Sequence, residues 1–372
     1  MTSLALRSER GIPNVPELES VRKFVRPEHL WPISETWALH DWTYHANGPA
    51  NTYMEALQNY LGGDFTVPVD HIKDWTPDAD DPVYQDYQKA INKMCMDAGK
   101  AWAVEDFFQA AQLINYDHHR GMFEALSARL SNGLLMWMSQ SSWPSFMWQT
   151  YDYYLYTNGG YFGAKAGNQP VRAFFDPRKD TVLLANATPD SYTNLTVTEE
   201  IFNLYGQLVW KKEHKIQDLS KDAYGISVGT VDFSVSDTDV LFLRLTLSDQ
   251  DSKVLGQNTY WHNRKEYQNY RMLRSIPKTR LSIRTLESSE VKSRQNGRNL
   301  IRTKLLIQNG DYPSLNTRIR FLDQDQADIL PVFFSDNYLL LMPHETRIIE
   351  AEYAPEKLAG DCRFTVTAWN IE

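Results

Sequence analysis

Aromatic side chains are concentrated in one stretch of the sequence. Residues 137–162 contain ten of them in 26 positions, whereas aromatic residues make up 13% of the whole chain. Sugar rings present apolar C–H faces that stack on aromatic rings, and their hydroxyl groups need polar partners close by. The stretch therefore indicates the wall of a carbohydrate-binding site, with packing in a core as the alternative for any single ring. We expect Trp143, which has polar neighbours, to lie in the wall and Trp137 to lie in the core.

One carboxylate stands in a position suited to catalysis. Glu9 follows the short apolar piece Leu4-Ala5-Leu6 and is followed by a glycine and a proline. A carboxylate at the mouth of a strand suits acid, base or nucleophilic chemistry, whereas a glutamate near a chain terminus is more often a solvated surface group. Both interpretations of Glu9 stay open on the residues alone.

A second candidate cluster contains His40, Asp41 and His45. Imidazole and carboxylate groups close in sequence suit an acid/base cluster or a metal site. Two histidines five residues apart without a third ligand are more typical of a loop or an interface. The sequence therefore predicts no metal and no cofactor.

The first 165 or so residues are predicted to be mainly helical. Apolar residues recur at helical spacing over residues 81–133, which predicts one or two long amphipathic helices, and over residues 51–61; a shorter helix is predicted at 16–25. The apolar run at 134–138 is bounded by a glycine and by polar residues, which suits a strand buried on both faces of a parallel sheet. This alternation of helix and strand indicates β/α architecture.

From about residue 172 the apolar period changes to two. Seven short strands are predicted between residues 171 and 261, and a second set is predicted between 281 and 369. Seven short strands in roughly 100 residues favour a β-sandwich of immunoglobulin type. We therefore expect two such sandwiches, joined near residues 273–277.

Composition excludes several classes of function. The 372 residues carry 38 Lys and Arg against 47 Asp and Glu, a net charge of −9, which argues against nucleic acid as the main partner. Two cysteines form no disulfide framework, no apolar run approaches the ~18 residues of a membrane helix, and the N-terminus lacks the apolar stretch of a signal peptide. Residues 264–304 hold twelve basic and three acidic side chains, which we interpret as the charged face and edge of a sandwich rather than a polyanion site.

Motifs of a known family are spread along almost the whole chain. They are Ser8-Glu9 with Pro16-Glu17-Leu18-Glu19-Ser20; Leu30-Trp31-Pro32-Ile33 with Trp37 and His40-Asp41-Trp42; Ser142-Trp143-Pro144-Ser145 with Tyr151-Asp152-Tyr153-Tyr154-Leu155; Gly159-Gly160-Tyr161-Phe162-Gly163-Ala164-Lys165; and Ser335-Asp336-Asn337 with Ala368-Trp369-Asn370. In these stretches the chain resembles glycoside hydrolase family 2, in the branch of exo-β-D-glucosaminidases and related β-mannosidases.

The resemblance implies a retaining enzyme with two N-terminal β-sandwiches, a catalytic (β/α)8 barrel and two C-terminal β-sandwiches. Against that pattern, the chain is expected to start at the seventh barrel strand. Glu9 then takes the place of the nucleophile, and Trp143, Trp37, His40 and Gln140 are expected to bind substrate. Nothing in the chain matches the family's Asn-Glu or Asn-Asp acid/base pair. We therefore expect the rest of the barrel to come from upstream sequence or a partner chain, and the isolated chain to lack a complete active site.

The sequence thus predicts a multidomain α/β plus all-β protein. Residues 1–166 are expected to form the C-terminal part of a TIM barrel, residues 167–273 an immunoglobulin-like β-sandwich, and residues 274–372 a second one. The expected function is exo-acting removal of terminal β-linked glucosamine or mannose from oligo- or polysaccharides, with carbohydrate as partner and neither nucleic acid nor membrane. Non-catalytic carbohydrate binding and bracing of the barrel are the alternatives. The polysaccharide substrates usual in the family suggest an extracellular or periplasmic location.

Overall fold

The structure, a computed structural model, describes residues 7–42, 49–65, 80, 82–128, 133–358 and 360–372. His45, considered above as part of an acid/base cluster, lies outside the described residues. The chain packs into two compact units. We call Glu9–His118 together with Leu135–Tyr161 the helical unit, and the remainder, mainly Phe162–Glu372, the sandwich unit.

Short strands and seven α-helices make up the part of the described chain that precedes the sandwiches. In chain order they are β1 (Arg7–Arg10), α1 (Leu18–Val21), α2 (Pro27–Leu30), α3 (Glu35–Leu39), α4 (Pro49–Leu61), α5 (Pro82–Ala101), α6 (Val104–Ala128), β2 (Leu134–Met136) and α7 (Gly159–Gly167). The prediction of one or two long helices over residues 81–133 is thereby confirmed, and there are two, α5 and α6.

The helices bury the faces that their apolar spacing predicts. In α5 the residues that repeat at intervals of three and four are buried, as an amphipathic helix requires; they are Ile91, Met94, Cys95 and Ala98. Helix α4 ends before Gly62, which has a φ of 83°. The backbone N–H of Gly62 donates to the carbonyl oxygen of Gln58 at 2.9 Å and so satisfies one of the last helical carbonyls.

The core of the helical unit is aromatic. The indole of Trp37 stacks on the ring of Phe146, with centroids 4.1 Å apart and 15° between the planes. Trp42 and Phe107 meet Trp37 edge-on at 5.3 and 5.6 Å. All four rings are fully buried, and such offset and edge-on pairs stabilise beyond the area they bury.

The apolar run after α6 differs from its prediction. Strand β2 covers only Leu134–Met136, and in the described part of the chain it pairs with β1 alone in a two-stranded sheet. Leu135 is 59% exposed and Trp137 is 47% exposed. The predictions of a strand buried on both faces and of Trp137 in the core are therefore wrong for this structure, because a two-stranded sheet leaves a face uncovered.

Seven strands form the first sandwich of the sandwich unit. They are β3 (Val171–Asp176), β4 (Thr181–Asn186), β5 (Tyr192–Phe202), β6 (Leu208–Leu219), β7 (Ala223–Thr230), β8 (Val240–Ser248) and β9 (Val254–Asn263). One sheet has the order β3-β4-β7 and the other β6-β5-β8-β9. Alternate residues of β5 and β8 point into one apolar core that also contains Phe175, Leu184 and Phe233, as the two-residue period predicts.

A second sandwich follows. Its strands are β10 (Leu281–Lys292), β11 (Asn299–Asn309), β12 (Ser314–Leu322), β13 (Val332–Phe334), β14 (Leu339–Leu341), β15 (Thr346–Tyr353) and β16 (Arg363–Thr367). The sheets have the orders β10-β11-β15-β13 and β14-β12-β16. The basic segment forms β10 and β11, and several of its cations pair with carboxylates, as Arg302 does with Glu352 at 2.6 Å and Lys304 with Glu287 at 2.6 Å. Strand β10 is a sheet edge, as expected for this charged face.

The two sandwiches contact each other through a nearly buried ion pair. Arg244 of β8 donates to the carboxylate of Glu345 at 2.6 Å, and Arg347 donates to the other oxygen of the same carboxylate at 2.6 Å. Nearby, Gly206 has a φ of 75°, and a Cβ at that position would lie 2.3 Å from a ring carbon of Pro343. A side chain at position 206 would therefore force the sandwiches apart.

No helix among the described residues is long and apolar enough to cross a membrane.

Candidate functional site

The candidate nucleophile lies in β1, next to the segment that carries the exposed aromatic rings. The backbone N–H of Trp137 donates to the carbonyl oxygen of Arg10 at 3.0 Å, which continues the pairing of β1 with β2. Gly11 permits this approach, since a Cβ there would lie 2.4 Å from the carbonyl oxygen of Trp137. Glu9 is the residue before Arg10 in β1; its side chain lies outside the described part of the chain.

The segment that follows β1 is held by two buried amides of α6. The Asn115 side chain donates to the carbonyl oxygen of Val15 at 2.8 Å and accepts from the N–H of Val15 at 3.2 Å. Gln112 donates to the carbonyl oxygens of Val15 and Pro16, both at 3.2 Å, and accepts from the N–H of Gly159 at 2.9 Å. These side chains complete the hydrogen bonds of a loop that has no sheet partner, as buried backbone groups require.

An exposed indole is fixed beside an imidazole. The ring of Trp143, 42% exposed, stacks on the ring of His40 with centroids 5.1 Å apart and 24° between the planes. Its Nε1 donates to Oδ2 of Asp41 at 3.1 Å. His40 is held in turn by a contact of 2.8 Å between its Nδ1 and the carbonyl oxygen of Pro144, and by Phe24, whose ring centroid is 4.8 Å from its own. The arrangement presents a rigid aromatic face with a carboxylate at its edge.

A buried aspartate organises the tyrosine-rich loop after Trp143. Oδ1 of Asp152 accepts from the backbone N–H groups of Tyr154 at 2.9 Å and Tyr156 at 3.0 Å. Burial raises the pKa of Asp152 above its ordinary value, and these N–H donors and the charge of Lys23 offset part of that rise. The ammonium of Lys23 lies 4.7 Å from the ring centroid of Tyr156, a cation–π distance. The loop is therefore held by its own buried acceptor.

The structure separates the predicted substrate-binding residues into two groups. His40 and Trp143 stack on each other, and Gln140 is exposed, with its Nε2 donating to the carbonyl oxygen of Asp152 at 3.4 Å. Trp37 is fully buried, and its Nε1 donates to the carbonyl oxygen of Leu30 at 3.1 Å. In this structure Trp37 packs beneath the site, where no ligand reaches its ring, and it supports the segment that carries His40.

Sequence reasoning missed Gln112, Asn115 and Asp152. Both amides lie within the apolar stripe of α6, and a polar residue at an interior position of an amphipathic helix was the available signal for them. Among the described residues, no group of three His, Cys, Asp or Glu side chains is placed to hold a metal ion.

The fold and the site together describe a multidomain protein in which a helical unit with an aromatic surface precedes two β-sandwiches. Residues 258–371 match the family described as the exo-β-D-glucosaminidase Ig-fold domain. An exo-β-D-glucosaminidase of Arthroderma benhamiae is 31% identical over 263 residues, which cover 66% of this chain and 29% of that protein. One of Streptomyces avermitilis is 27% identical over 300 residues, covering 73% of this chain and 32% of that protein.

Solved structures show the same fold. The crystal structure of the Amycolatopsis orientalis exo-chitosanase CsxA has a TM-score of 0.75 at 21% identity, covering 99% of this chain and 42% of that one. A β-D-mannosidase of Dictyoglomus thermophilum has a TM-score of 0.65 at 18% identity, covering 98% of this chain and 37% of that one. The chain is thus a relative of the C-terminal portion of the exo-β-D-glucosaminidase and β-mannosidase branch of glycoside hydrolase family 2, which confirms the resemblance. It spans about a third of the length of the curated relatives above.

Proposed function

We propose that this chain is the C-terminal part of a retaining, exo-acting glycoside hydrolase. In this proposal residues 1–166 supply the end of a catalytic (β/α)8 barrel, and residues 167–273 and 274–372 are accessory sandwiches. The observation that carries the proposal is the pairing of β1, which contains Glu9, with β2, which leads directly into the exposed rings of Trp137 and Trp143. A carboxylate and an aromatic wall that leave neighbouring strands are the elements of a glycosidase subsite.

In the proposed reaction Glu9 attacks the anomeric carbon of a terminal sugar. A bond forms between the carboxylate oxygen and that carbon while the glycosidic bond breaks, and an acid elsewhere in the complete barrel protonates the leaving oxygen. Water then hydrolyses the glycosyl ester, which restores the carboxylate and retains the anomeric configuration. Such an enzyme needs its two carboxyl groups about 5 Å apart. Within this chain only the nucleophile is assigned.

Terminal β-linked glucosamine is the proposed substrate, because the curated relatives at 26–31% identity are named exo-β-D-glucosaminidases. A mannosylglycoprotein endo-β-mannosidase of Lilium longiflorum, 23% identical over 168 residues, makes a β-linked mannoside the second candidate. Trp143 would stack on the apolar face of either sugar, while Asp41 and Gln140 offer hydrogen-bond partners for its polar groups. Polysaccharide substrates also support an extracellular or periplasmic site of action.

Covalent trapping tests the proposal. The chain, combined with the rest of its barrel on one polypeptide or from a partner chain, is incubated with 5-fluoro-β-D-glucosaminyl fluoride, and labelled peptides are mapped by mass spectrometry. The label is expected on Glu9, and Glu9→Gln should abolish both labelling and turnover. Glu28→Gln, at an exposed glutamate of α2, should leave both intact.

Label on another carboxylate, or normal turnover by Glu9→Gln, would reject Glu9 as nucleophile. Saturable glucosamine-oligosaccharide binding without turnover under any of these conditions would favour the non-catalytic binding module instead.

A further inference from the structure

The second sandwich has a cleft at one seam between its two sheets. Strands β10 and β16 are the edges of its two sheets on that side, and a cavity of about 510 Å³ lies between them. Most side chains of β10 are exposed, and a bulge between Thr285 and Glu287 shifts its register beside the cavity. A bulge bends a strand and re-aims its side chains. The seam is therefore a formed cleft of the size that holds a small ligand.

Two guanidinium groups line the cleft, and none of its lining residues is acidic. Arg284 of β10 is exposed and makes no ion pair with a carboxylate in the described part of the chain. Arg363 of β16 is held by the neutral side-chain oxygen of Gln326, so its charge stays uncompensated there. In a chain with a net charge of −9, two such arginines on opposite walls of one cleft mark a place for an anionic group.

The floor of the cleft supplies hydroxyl groups in a row. The side-chain oxygens of Ser288 and Thr303 lie 2.9 Å apart, and the oxygens of Thr303 and Tyr353 lie 3.0 Å apart. Thr303 and Tyr353 are buried, whereas Ser288 is exposed, so the hydroxyl of Ser288 is the one that can donate to or accept from a sugar hydroxyl, and the other two hold it in place. Beside it the half-buried ring of Phe364 stacks on Phe321 with centroids 4.3 Å apart, which leaves an apolar wall against the cleft.

We propose that this cleft binds a saccharide that carries a carboxylate, the class of hexuronic acids. The arginines take the carboxylate, Ser288 at the exposed end of the hydroxyl row takes a sugar hydroxyl, and Phe364 takes a C–H face. Glucosamine oligosaccharides are cationic at neutral pH, and the arginines repel them. The cleft is therefore not a second subsite for the proposed substrate, and the inference stands independently of the proposed function.

Calorimetric titration of the full chain tests the proposal with four probes: trigalacturonate, a glucosamine trimer, maltotriose and inorganic phosphate. Trigalacturonate is expected to bind more tightly than each of the others. Arg284→Met and Arg363→Met should each weaken its binding by about tenfold, because each removes a charged hydrogen-bond donor. Arg298→Met is the matched control, since Arg298 is exposed between β10 and β11 and does not line the cleft; it should leave the affinity unchanged.

The half-buried thiol of Cys362 gives an independent readout from inside the cleft. The other cysteine, Cys95, is fully buried, so alkylation by iodoacetamide reports on Cys362. Trigalacturonate should slow that alkylation at least fivefold, and the glucosamine trimer should not.

Four results would overturn the proposal. One is an affinity for the glucosamine trimer or maltotriose equal to that for trigalacturonate. Another is an affinity for inorganic phosphate equal to that for trigalacturonate, which would show that the cleft binds anions without recognising the sugar. The third is binding that survives both arginine substitutions in chains whose thermal midpoints are unchanged. A concentration-dependent dimer that trigalacturonate fails to dissociate would instead mean that a strand of a second copy fills the seam.

Discussion

The indole of Trp143 and the carboxylate of Asp41 are joined by a hydrogen bond of 3.1 Å across 102 positions of sequence. This bond fixes the tilt of a ring that is 42% exposed, while the stacked imidazole of His40 supports its inner face. An exposed tryptophan held at its edge and at one face presents the other face to solvent in one orientation. That preorganisation lowers the entropy cost of stacking a sugar on it.

Removing the indole should therefore weaken the proposed reaction. Trp143→Ala in the catalytically complete assembly is expected to lower kcat/KM for an aryl β-glucosaminide by roughly tenfold to a hundredfold, the equivalent of the 1.5–3 kcal/mol of a buried aromatic contact. Tyr205→Ala, at an exposed tyrosine of the sandwich unit, should change kcat/KM less than twofold. Steady-state kinetics checks this, and equal effects of the two substitutions would remove Trp143 from the site.

The backbone at Asp41 makes a second prediction possible. Asp41 has a φ of 69°, in the left-handed region that asparagine tolerates better than alanine. Asp41→Asn keeps an acceptor for the indole N–H and should alter the free energy of unfolding by less than about 0.5 kcal/mol. Asp41→Ala loses the acceptor and adds strain, for a cost of about 1–2 kcal/mol. Urea denaturation of both variants measures the difference, and identical midpoints would show that the hydrogen bond contributes nothing.

Tyr260 of β9 ties the end of α6 to the first sandwich. Its hydroxyl donates to Oε1 of Glu124 at 2.7 Å. Burial, together with the negative charge of Glu124, raises the pKa of Tyr260 well above its ordinary value, so the hydroxyl stays protonated and remains a donor. The guanidinium of Arg120 covers the ring, 4.1 Å from its centroid. This tyrosine therefore supplies a shorter hydrogen bond to Oε1 of Glu124 than the Asn258 side chain, which donates to the same oxygen at 3.4 Å.

Tyr260→Phe should consequently lower the free energy of unfolding by about 1–3 kcal/mol, the cost of depriving a buried charged acceptor of a donor. Tyr205→Phe loses a hydroxyl at an exposed position and should change stability by less than about 0.5 kcal/mol. Chemical denaturation followed by tryptophan fluorescence measures both. A loss no larger for Tyr260→Phe than for Tyr205→Phe would contradict the structural role given to the hydroxyl.

A buried glutamate should make the stability of the first sandwich depend on pH. Glu199 of β5 is fully buried, with one oxygen 2.8 Å from Nε2 of His214. Burial raises the pKa of Glu199, and the charges of His214 and Lys212 offset part of the rise. A raised folded-state pKa means that the carboxyl's contribution to stability is full below its unfolded pKa and is lost as the pH rises through the folded pKa.

The stability of the natural chain should therefore fall relative to Glu199→Gln between about pH 4.5 and neutrality. Glu200→Gln, on the opposite face of β5 and half-exposed, should show no such change with pH. Thermal midpoints of the three proteins measured across this range provide the test. A natural chain that gains stability over Glu199→Gln as the pH rises would show that the ion pair with His214 outweighs desolvation.

Periodicity sufficed to predict the long helices and most strands, since burial of one face follows the same spacing that the sequence displays. The run at 134–138 shows where this fails: five consecutive apolar residues do not indicate how many strands flank them, and Leu135 is largely exposed. The prediction that Trp137 lies in the core is wrong for the same reason, since its side chain is 47% exposed. Short strand β14, Leu339–Leu341, also lacked enough residues for a period.

Local sequence patterns could not predict the polar side chains that hold the site in place. The Asn115 side chain hydrogen-bonds to Val15, which lies 100 residues away in the sequence. That contact depends on tertiary packing alone. The same holds for the cleft of the second sandwich, where Arg284 and Phe364 come from opposite sheets. The sequence shows a basic segment, and only the fold distinguishes Lys304, which is paired with Glu287, from Arg284, which has no ion pair among the described residues.

The joint between the two sandwiches yields a last prediction. Both side chains of the Arg244–Glu345 pair are nearly buried, at 11% and 14% exposure, and Oε2 of Glu345 also accepts from the N–H of Met342 at 2.8 Å. Removing one member of such a pair leaves the other charge desolvated without compensation. Glu345→Gln should therefore cost about 2–4 kcal/mol and separate the unfolding of the two sandwiches into distinct transitions.

The exposed pair of Lys304 and Glu287 provides the control, because solvent screens it at 41% and 62% exposure. Glu287→Gln should cost less than about 1 kcal/mol and leave a single transition. The double substitution Arg244→Met with Glu345→Leu removes the two nearly buried charges. It leaves Arg347 without its carboxylate, but that side chain is 36% exposed and also donates to Gln257, so the double variant should recover much of the loss caused by Glu345→Gln. Calorimetry of the four proteins resolves these outcomes. If Glu345→Gln unfolds in one transition at the natural midpoint, the ion pair does not couple the sandwiches.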